Sequence, residues 1–137
     1  MFLIDTMVLS EGFKPNRDAN AIAWLEANAD KTLFLSVLSV GEIARGIRKI
    51  EDREPQRAGQ YRRWLDSVLA DYDANILPLT VPIMKRWGVL TFEVGNTAPD
   101  LLIAATALEH NLTLVTRNIR DVQNTGVKLL NPYDDRS

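Results

Sequence analysis

The chain has 137 residues, 46% of them hydrophobic, and sets 16 Lys and Arg against 18 Asp and Glu for a net charge of −2. It contains no cysteine, which excludes disulfide frameworks, thiolate zinc sites and cysteine nucleophiles, and no apolar run approaches the roughly 20 residues that cross a bilayer. Length and apolar content predict a single domain spanning residues 1–137 with a core that needs no covalent staples. An apolar start without a basic segment before it predicts a cytoplasmic protein with no signal peptide.

FLI at Phe2–Ile4 reads as a short buried strand ending at Asp5. Ala19–Ala29 follows as a helix with Ile22, Leu25 and Ala29 on one face. LFLSV, Leu33–Val37, is a second strand, and Ser39–Ile50 a second helix with Val40, Ile43, Ala44 and Ile47 on one side. Pro55 breaks that pattern. Tyr61, Trp64, Leu65, Val68, Leu69 and Tyr72 then make an i, i+3, i+4, i+7, i+8, i+11 stripe, an amphipathic helix. ILPL at Ile76–Leu79 is a short strand or extended link, and Thr80 opens a helix with Pro82 in its first turn and Ile83, Trp87 and Leu90 facing inward. Gly95 ends it. Pro99–His110 is the next helix, closed by Asn111. LTLVT, Leu112–Thr116, is a strand, and VKLL, Val127–Leu130, the last one.

Strands alternating with helices predict an α/β fold whose central parallel sheet is covered on both faces. Ligands in such sheets bind beyond the carboxyl ends of the strands. Asp5 stands at one such end; Thr116, Arg117 and Asn118 stand at another.

Four acids sit at element boundaries: Asp5, Glu42, Asp100 and Asp121. Each has a structural use. Asp5 can bond its own backbone as a turn former, although apolar residues resume at once after it. Ser39-x-x-Glu42 has the spacing of a capping box. Asp100, just after Pro99, suits the positive end of a helix. Asp121 falls in a polar loop. Together they converge on one crevice, where like charges raise one another's pKa unless a cation intervenes. Hard cations such as Mg²⁺ and Mn²⁺ take oxygen ligands. Between Arg45 and Arg63 lie seven basic residues against three acids, either a solvated helix face or a rim that follows a phosphate backbone. Arg45, Arg48 and Lys49 are the candidates for RNA contact, with a solvent-facing or partner-facing side as the alternative. A divalent ion beside such a surface suits phosphodiester chemistry.

MFLIDTMVLSE, FLSVLSVGEIARGI, PDLLIAATALEHNLTLVTRNIRD and GVKLLNP, taken in order, resemble the PIN-domain ribonuclease toxins of the VapC and FitB-like kind. The resemblance implies a PIN-like three-layer fold and an endoribonuclease that uses Mg²⁺ or Mn²⁺. It carries the acidic site onto Asp5, Glu42, Asp100 and Asp121 and places Thr6, Thr116 and Asn118 as polar residues beside the metal. It also implies a homodimer held inactive by a cognate VapB-like antitoxin, whose tail commonly covers the acidic crevice and whose other end binds DNA. Met7 departs from the small or polar residue common in that family, and Val122-Gln123 from its Phe.

On this reading Asp5 and Asp100 are the main ligands of one divalent ion, Glu42 binds it directly or through water, and Asp121 holds a second ion or orients the nucleophile. A haloacid-dehalogenase-like phosphatase would need a second Asp at position 7, which is Met. His110 and the serines form no triad. The alternative of another class is a PIN-like binding subunit of a toxin–antitoxin DNA-binding complex with weak or lost catalysis.

Overall fold

A computed structural model describes residues 1–134. Its centre is a five-stranded sheet built from β1 (Phe2–Ile4), β2 (Leu33–Ser36), β3 (Ile76–Leu77), β4 (Thr113–Val115) and β5 (Leu129–Leu130). The order across the sheet is β3-β2-β1-β4-β5, and every neighbouring pair is parallel. The helices are α1 (Thr6–Leu9), α2 (Ala19–Ala27), α3 (Val37–Arg53), α4 (Pro55–Tyr72), α5 (Val81–Val94), α6 (Asp100–Glu109) and α7 (Ile119–Val122), with short 3₁₀ turns at Ser10–Phe13, Asp73–Asn75 and Gln123–Thr125.

Strand alternation sorts the core into two layers. Leu3 and Leu114 point to one face and meet Ile103, Ala104 and Ala107 of α6 and Val122 of α7. Ile4, Leu35 and Val115 point to the other, where Trp24 of α2 and Val68 and Trp64 of α4 pack. A period of two sends successive residues to opposite faces, so runs as short as FLI must be apolar throughout to serve both layers. Outside α6, α5 adds Ile83 and Leu90 against Ala105. The result is the expected three-layer α/β arrangement.

Helix starts follow local chemistry. Asp18 caps α2 by accepting from the Ala21 amide, and Thr80 caps α5 by accepting from Ile83. Pro55 begins α4 at a position whose amide has no helical partner to lose. Gly95, at φ 87°, closes α5 in a left-handed conformation costly for a side chain. Asn111 takes the same region at φ 53° after α6.

Three expectations fail in detail. The α2 face toward the sheet is Ala21, Trp24 and Leu25, not Ile22, Leu25 and Ala29, since the helix stops at Ala27. Val37 belongs to α3 rather than β2, because Ser36 caps that helix by accepting from the Leu38 amide at 3.0 Å. α3 also runs on to Arg53 and stops only against Pro55.

Candidate active site

Chain direction decides where a site can form. From β1 the sheet grows through β2 and β3 to one side, and through β4 and β5 to the other. The order therefore reverses between β1 and β4, and a crevice opens beyond their carboxyl ends. Asp5 leaves β1 at that point, and Thr116 leaves β4 beside it.

Asp5 is buried at 7% exposure. Its amide donates to Val115 O at 3.0 Å, extending the β1–β4 ladder by one residue. It occupies the N-cap position of α1, yet its side chain makes no capping bond there. Instead Oδ2 accepts from Thr116 Oγ1 at 2.9 Å. Thr116 is itself buried, and its hydroxyl oxygen also accepts from the Asn118 amide at 3.1 Å. Burial raises the Asp5 carboxyl above its ordinary range, hydrogen bonds from Thr116 and the Thr6 backbone act against that, and Glu42 adds a smaller upward push.

The resumption of apolar residues after Asp5 is explained by α1. This single turn buries Val8 against the core, so the chain dives back under the sheet edge just past the carboxylate. The turn also aims Thr6 at α3. Thr6 Oγ1 lies 2.6 Å from Ser39 Oγ and 2.8 Å from Glu42 Oε1. A carboxylate only accepts, so the Thr6 proton serves Glu42 and Ser39 donates to Thr6. The expected capping box does not form: with the cap at Ser36, Glu42 lies in the second turn of α3. Ser39 and Glu42 still share a face, three residues apart, and both turn toward Thr6. Ser39 is fully buried; sequence reasoning treats it as a cap, and its i, i+3 relation to Glu42 is the signal for its place at the site.

Asp100 opens α6, with Pro99 before it at the N-cap. Its carboxyl is pushed up to about 6, by burial first, then by the charges of Asp5, Asp121 and Glu42, and by a hydrogen bond shared with Asp121. All four acids thus face one space. Asp121 is in the first turn of α7 rather than in a loop. The buried Val122 beside it anchors that turn in the Leu3 layer. Asn118 caps no amide with its side chain; its Nδ2 lies 3.9 Å from Met7 Sδ. Arg117, between Thr116 and Asn118, lays its guanidinium over the Tyr133 ring, 4.7 Å from the centroid.

The donor set suits a hard divalent ion: four carboxylates, with hydroxyls holding two of them, one of the acids raised by burial and by the charges of the other three, and no cysteine thiolate. Among the described residues no three acidic or imidazole side chains are already gathered tightly enough to hold such an ion. The four acids form an open set that repels itself.

Arg45, Arg48 and Lys49 are exposed along α3. Arg48 pairs with Asp52 at 3.4 Å in a contact exposed on both sides. Farther on, Arg62 pairs with Glu51 and Arg57 with Glu54. The basic stretch is thus partly spent on its own acids, leaving Arg45, Lys49, Arg53 and Arg63 outside these pairs. A groove of about 280 Å³ leads from Thr6 and Glu42 past Ile47 and Ile50 to Tyr61 and Trp64. No helix among the described residues is long and apolar enough to cross a membrane.

Comparison with known proteins agrees with this architecture. The PIN domain family model matches residues 2–126. Toxin FitB of Neisseria gonorrhoeae is 29% identical over 98% of this chain and 100% of its own length. VapC ribonuclease Y4jK of Sinorhizobium fredii is 27% identical over 98% of this chain and 99% of its own length. The crystal structure of FitAcB from Neisseria gonorrhoeae superposes with a TM-score of 0.87 at 27% identity, covering 97% of this chain and 99% of that one. A toxin–antitoxin complex from Klebsiella pneumoniae gives 0.73 at 28% identity, covering 98% and 99%. With its parallel sheet, its acids at the β1/β4 reversal and a match across nearly its whole length, the chain belongs to the PIN-domain family of the VapC and FitB toxins.

Proposed function

We propose that this chain is a Mg²⁺- or Mn²⁺-dependent endoribonuclease and the toxin of a toxin–antitoxin pair. The observation that carries the reading is the meeting of Asp5, Glu42, Asp100 and Asp121 at the β1/β4 reversal, where burial first and then the charges of the other three raise the Asp100 carboxyl to about 6. Mutual repulsion of this kind costs stability and is relieved by a cation. Asp5 and Asp100 would hold the ion, with Glu42 beside them and Asp121 at a second position or against the nucleophile. When bound, such an ion lowers the pKa of water and neutralises charge building on the phosphate oxygens.

The chain's own residues supply the positioning. Thr116 ties down one oxygen of Asp5 and leaves the other for the crevice. Thr6, backed by Ser39, fixes the rotamer of Glu42. Asp121, hydrogen-bonded to Asp100 in the ion-free site, would be placed to orient the attacking water or hold a second ion. Glu42, Arg45 and Lys49 stand at i, i+3 and i+7 on α3, one stripe of a helix. An RNA backbone that reaches the acids therefore passes over both cations, with Arg48 at the side.

The partner would be a cognate VapB-like antitoxin. The names of the related toxin and of the toxin–antitoxin complex support this. Its apolar side chains fit the groove ending at Tyr61 and Trp64, and a basic group at the groove's other end would meet Glu42. DNA would be reached through the antitoxin, as suits a chain with a net charge of −2. A cytoplasmic homodimer completes the proposal.

The test is cleavage of RNA by purified protein freed of any partner, with Mn²⁺, with EDTA, and with Asp5→Asn. Cleavage lost with EDTA and with Asp5→Asn supports the nuclease. No cleavage, with no stabilisation by Mn²⁺, assigns the chain to the class of binding subunits.

A further inference from the structure

We propose that Arg117 binds a phosphate of the RNA on the β4 side of the acids, and that Tyr133 is the positioning residue that holds its guanidinium there. This rests on the nuclease reading above and adds to it a contact on the flank opposite α3.

In the sheet, β1 lies between β2 and β4. α3 leaves the end of β2, Asp5 the end of β1, and Arg117 follows Thr116 at the end of β4. Neighbouring strands stand about 4.8 Å apart, so the ends of β2 and β4 are separated by about 10 Å with Asp5 between them. Arg45 and Lys49 lie along one flank of the acids, and Arg117 lies on the other. An RNA backbone that crosses the strand ends carries a phosphate on each side of the one at the acids, and the cations of α3 meet only one of these.

Arg117 is exposed, and among the described residues it forms no ion pair. A loose guanidinium one residue from Thr116 would be drawn onto the carboxylates and would neutralise them in place of the divalent ion. Instead its centre lies over the Tyr133 ring, 4.7 Å from the centroid. Attraction to a ring face spends none of the N–H groups, and Arg presents five of these in a planar fork that matches a phosphate. Arg57 also stacks, on Tyr61, but its charge is already paired with Glu54.

Tyr133 is itself held from several sides. Its amide donates to Asn131 Oδ1 at 2.9 Å, and its carbonyl accepts from Asn20 Nδ2 at 3.2 Å. Its ring packs in the Ile4 layer. Its hydroxyl is buried, outside full hydrogen-bond geometry to any partner. Of the charged groups around that hydroxyl, Glu11 acts most strongly, ahead of Arg117 and Asp18. Glu11 is buried at 2% exposure, with Lys14 Nζ 3.5 Å from its carboxylate. An acid at that depth is costly unless its partners compensate it. Here it anchors the ring that carries Arg117.

The experiment is kcat/KM for cleavage of one single-stranded RNA with Mn²⁺ across a salt series. The proteins are the full purified wild type, Arg117→Ala, Arg117→Lys, Tyr133→Phe, Tyr133→Leu and the double variant of Arg117→Ala with Tyr133→Leu, and circular dichroism checks that each folds. Arg117→Ala is expected to lose about tenfold or more and to reduce the salt dependence by about one counterion. Arg117→Lys keeps the charge and therefore the salt dependence. Tyr133→Phe keeps the ring and stays near the wild type. Tyr133→Leu loses activity on its own and nothing further beside Arg117→Ala, because a residue that acts only through another has no effect once that one is gone. A wild type that cleaves no RNA overturns the nuclease reading and this contact with it. An active wild type with kcat/KM and salt dependence unchanged in Arg117→Ala overturns the contact and leaves the nuclease standing. A loss from Tyr133→Leu as large beside Arg117→Ala as without it overturns the positioning role, since the ring then acts through the fold. Arg117 is exposed, so its variants decide the contact even where Tyr133→Leu does not fold.

Discussion

Thr116 donates to Asp5 Oδ2 at 2.9 Å, joining residues 111 positions apart in a bond buried at both ends. It bridges the two strands where the sheet reverses. Replacing Thr116 by Val keeps the shape and removes the donor. The Asp5 carboxylate then loses a bond that lowers its pKa, and a buried acceptor left unmade costs about 1–3 kcal/mol. Chemical denaturation of Thr116→Val should show a loss of this order at neutral pH. The loss should shrink in acid, where Asp5 is protonated; a loss that stayed constant with pH would place the defect in packing or in the Asn118 amide, which also bonds the Thr116 hydroxyl.

The raised Asp100 carboxyl makes a prediction about pH. Its folded value is about 6, above the 3.8 of an unperturbed aspartate. The folded state therefore binds this proton more tightly than the unfolded one. The resulting stabilisation is fully present below the unfolded value and is lost as pH rises through the folded one. In EDTA, the thermal midpoint should fall on going from pH 5 to pH 7.5 by more in the wild type than in Asp100→Asn. Equal slopes in the two proteins would show that Asp100 does not carry this proton.

Relief by a cation follows from the same repulsion. A ligand that binds only the folded state at 100 times its dissociation constant adds about 2.7 kcal/mol. Mn²⁺ at neutral pH should raise the midpoint of the wild type and flatten the pH slope just described. Asp5→Asn and Asp100→Asn should each lose most of the Mn²⁺ effect. Retention of the full effect in either variant would remove that residue from the ion's ligands.

On α3, Arg45→Ala and Lys49→Ala should each weaken RNA binding and reduce its dependence on salt by about one released counterion. Arg48→Ala should do less, because Arg48 is already directed at Asp52. The measurement is RNA affinity across a salt series. Equal effects at all three positions would show that the helix acts as a diffuse positive surface rather than as a stripe leading to Glu42.

Sequence legibility varies with the reach of the interactions involved. The strands can be read because they must be apolar on both faces, α4 because its apolar residues recur at helical spacing, and α6 because its apolar content is continuous. The reversal between β1 and β4 is not legible, since strand order is set by pairing over 111 residues and leaves no local mark. α1 is hidden because four residues are too few for a helical period. Its trace is only the odd return of Val8 and Leu9 after Asp5. Glu42 has the spacing of a capping box with Ser39, but Ser36 takes the cap first, leaving the Glu free for Thr6. Asp121 looks like a loop acid because the anchor of its short helix is a single buried valine. The neutralisation of Arg48, Arg57 and Arg62 depends on rotamers and cannot be counted from composition. Candidate residues are thus easier to name than the bonds that hold them.

The placing of β1 between β2 and β4 has a consequence for the order of events during synthesis. Asp5 is made well before β4, and the strand end that fixes its carboxylate closes only when Val115 and Thr116 arrive to pair and donate. Contacts so distant in sequence form late and slowly. A ribosome-bound fragment that stops before β4 would hold most of the helices and none of the finished crevice. For a chain whose proposed activity is destructive to RNA, such a layout delays competence until β4 has been made and paired, so that a partner already present can capture the molecule as it closes.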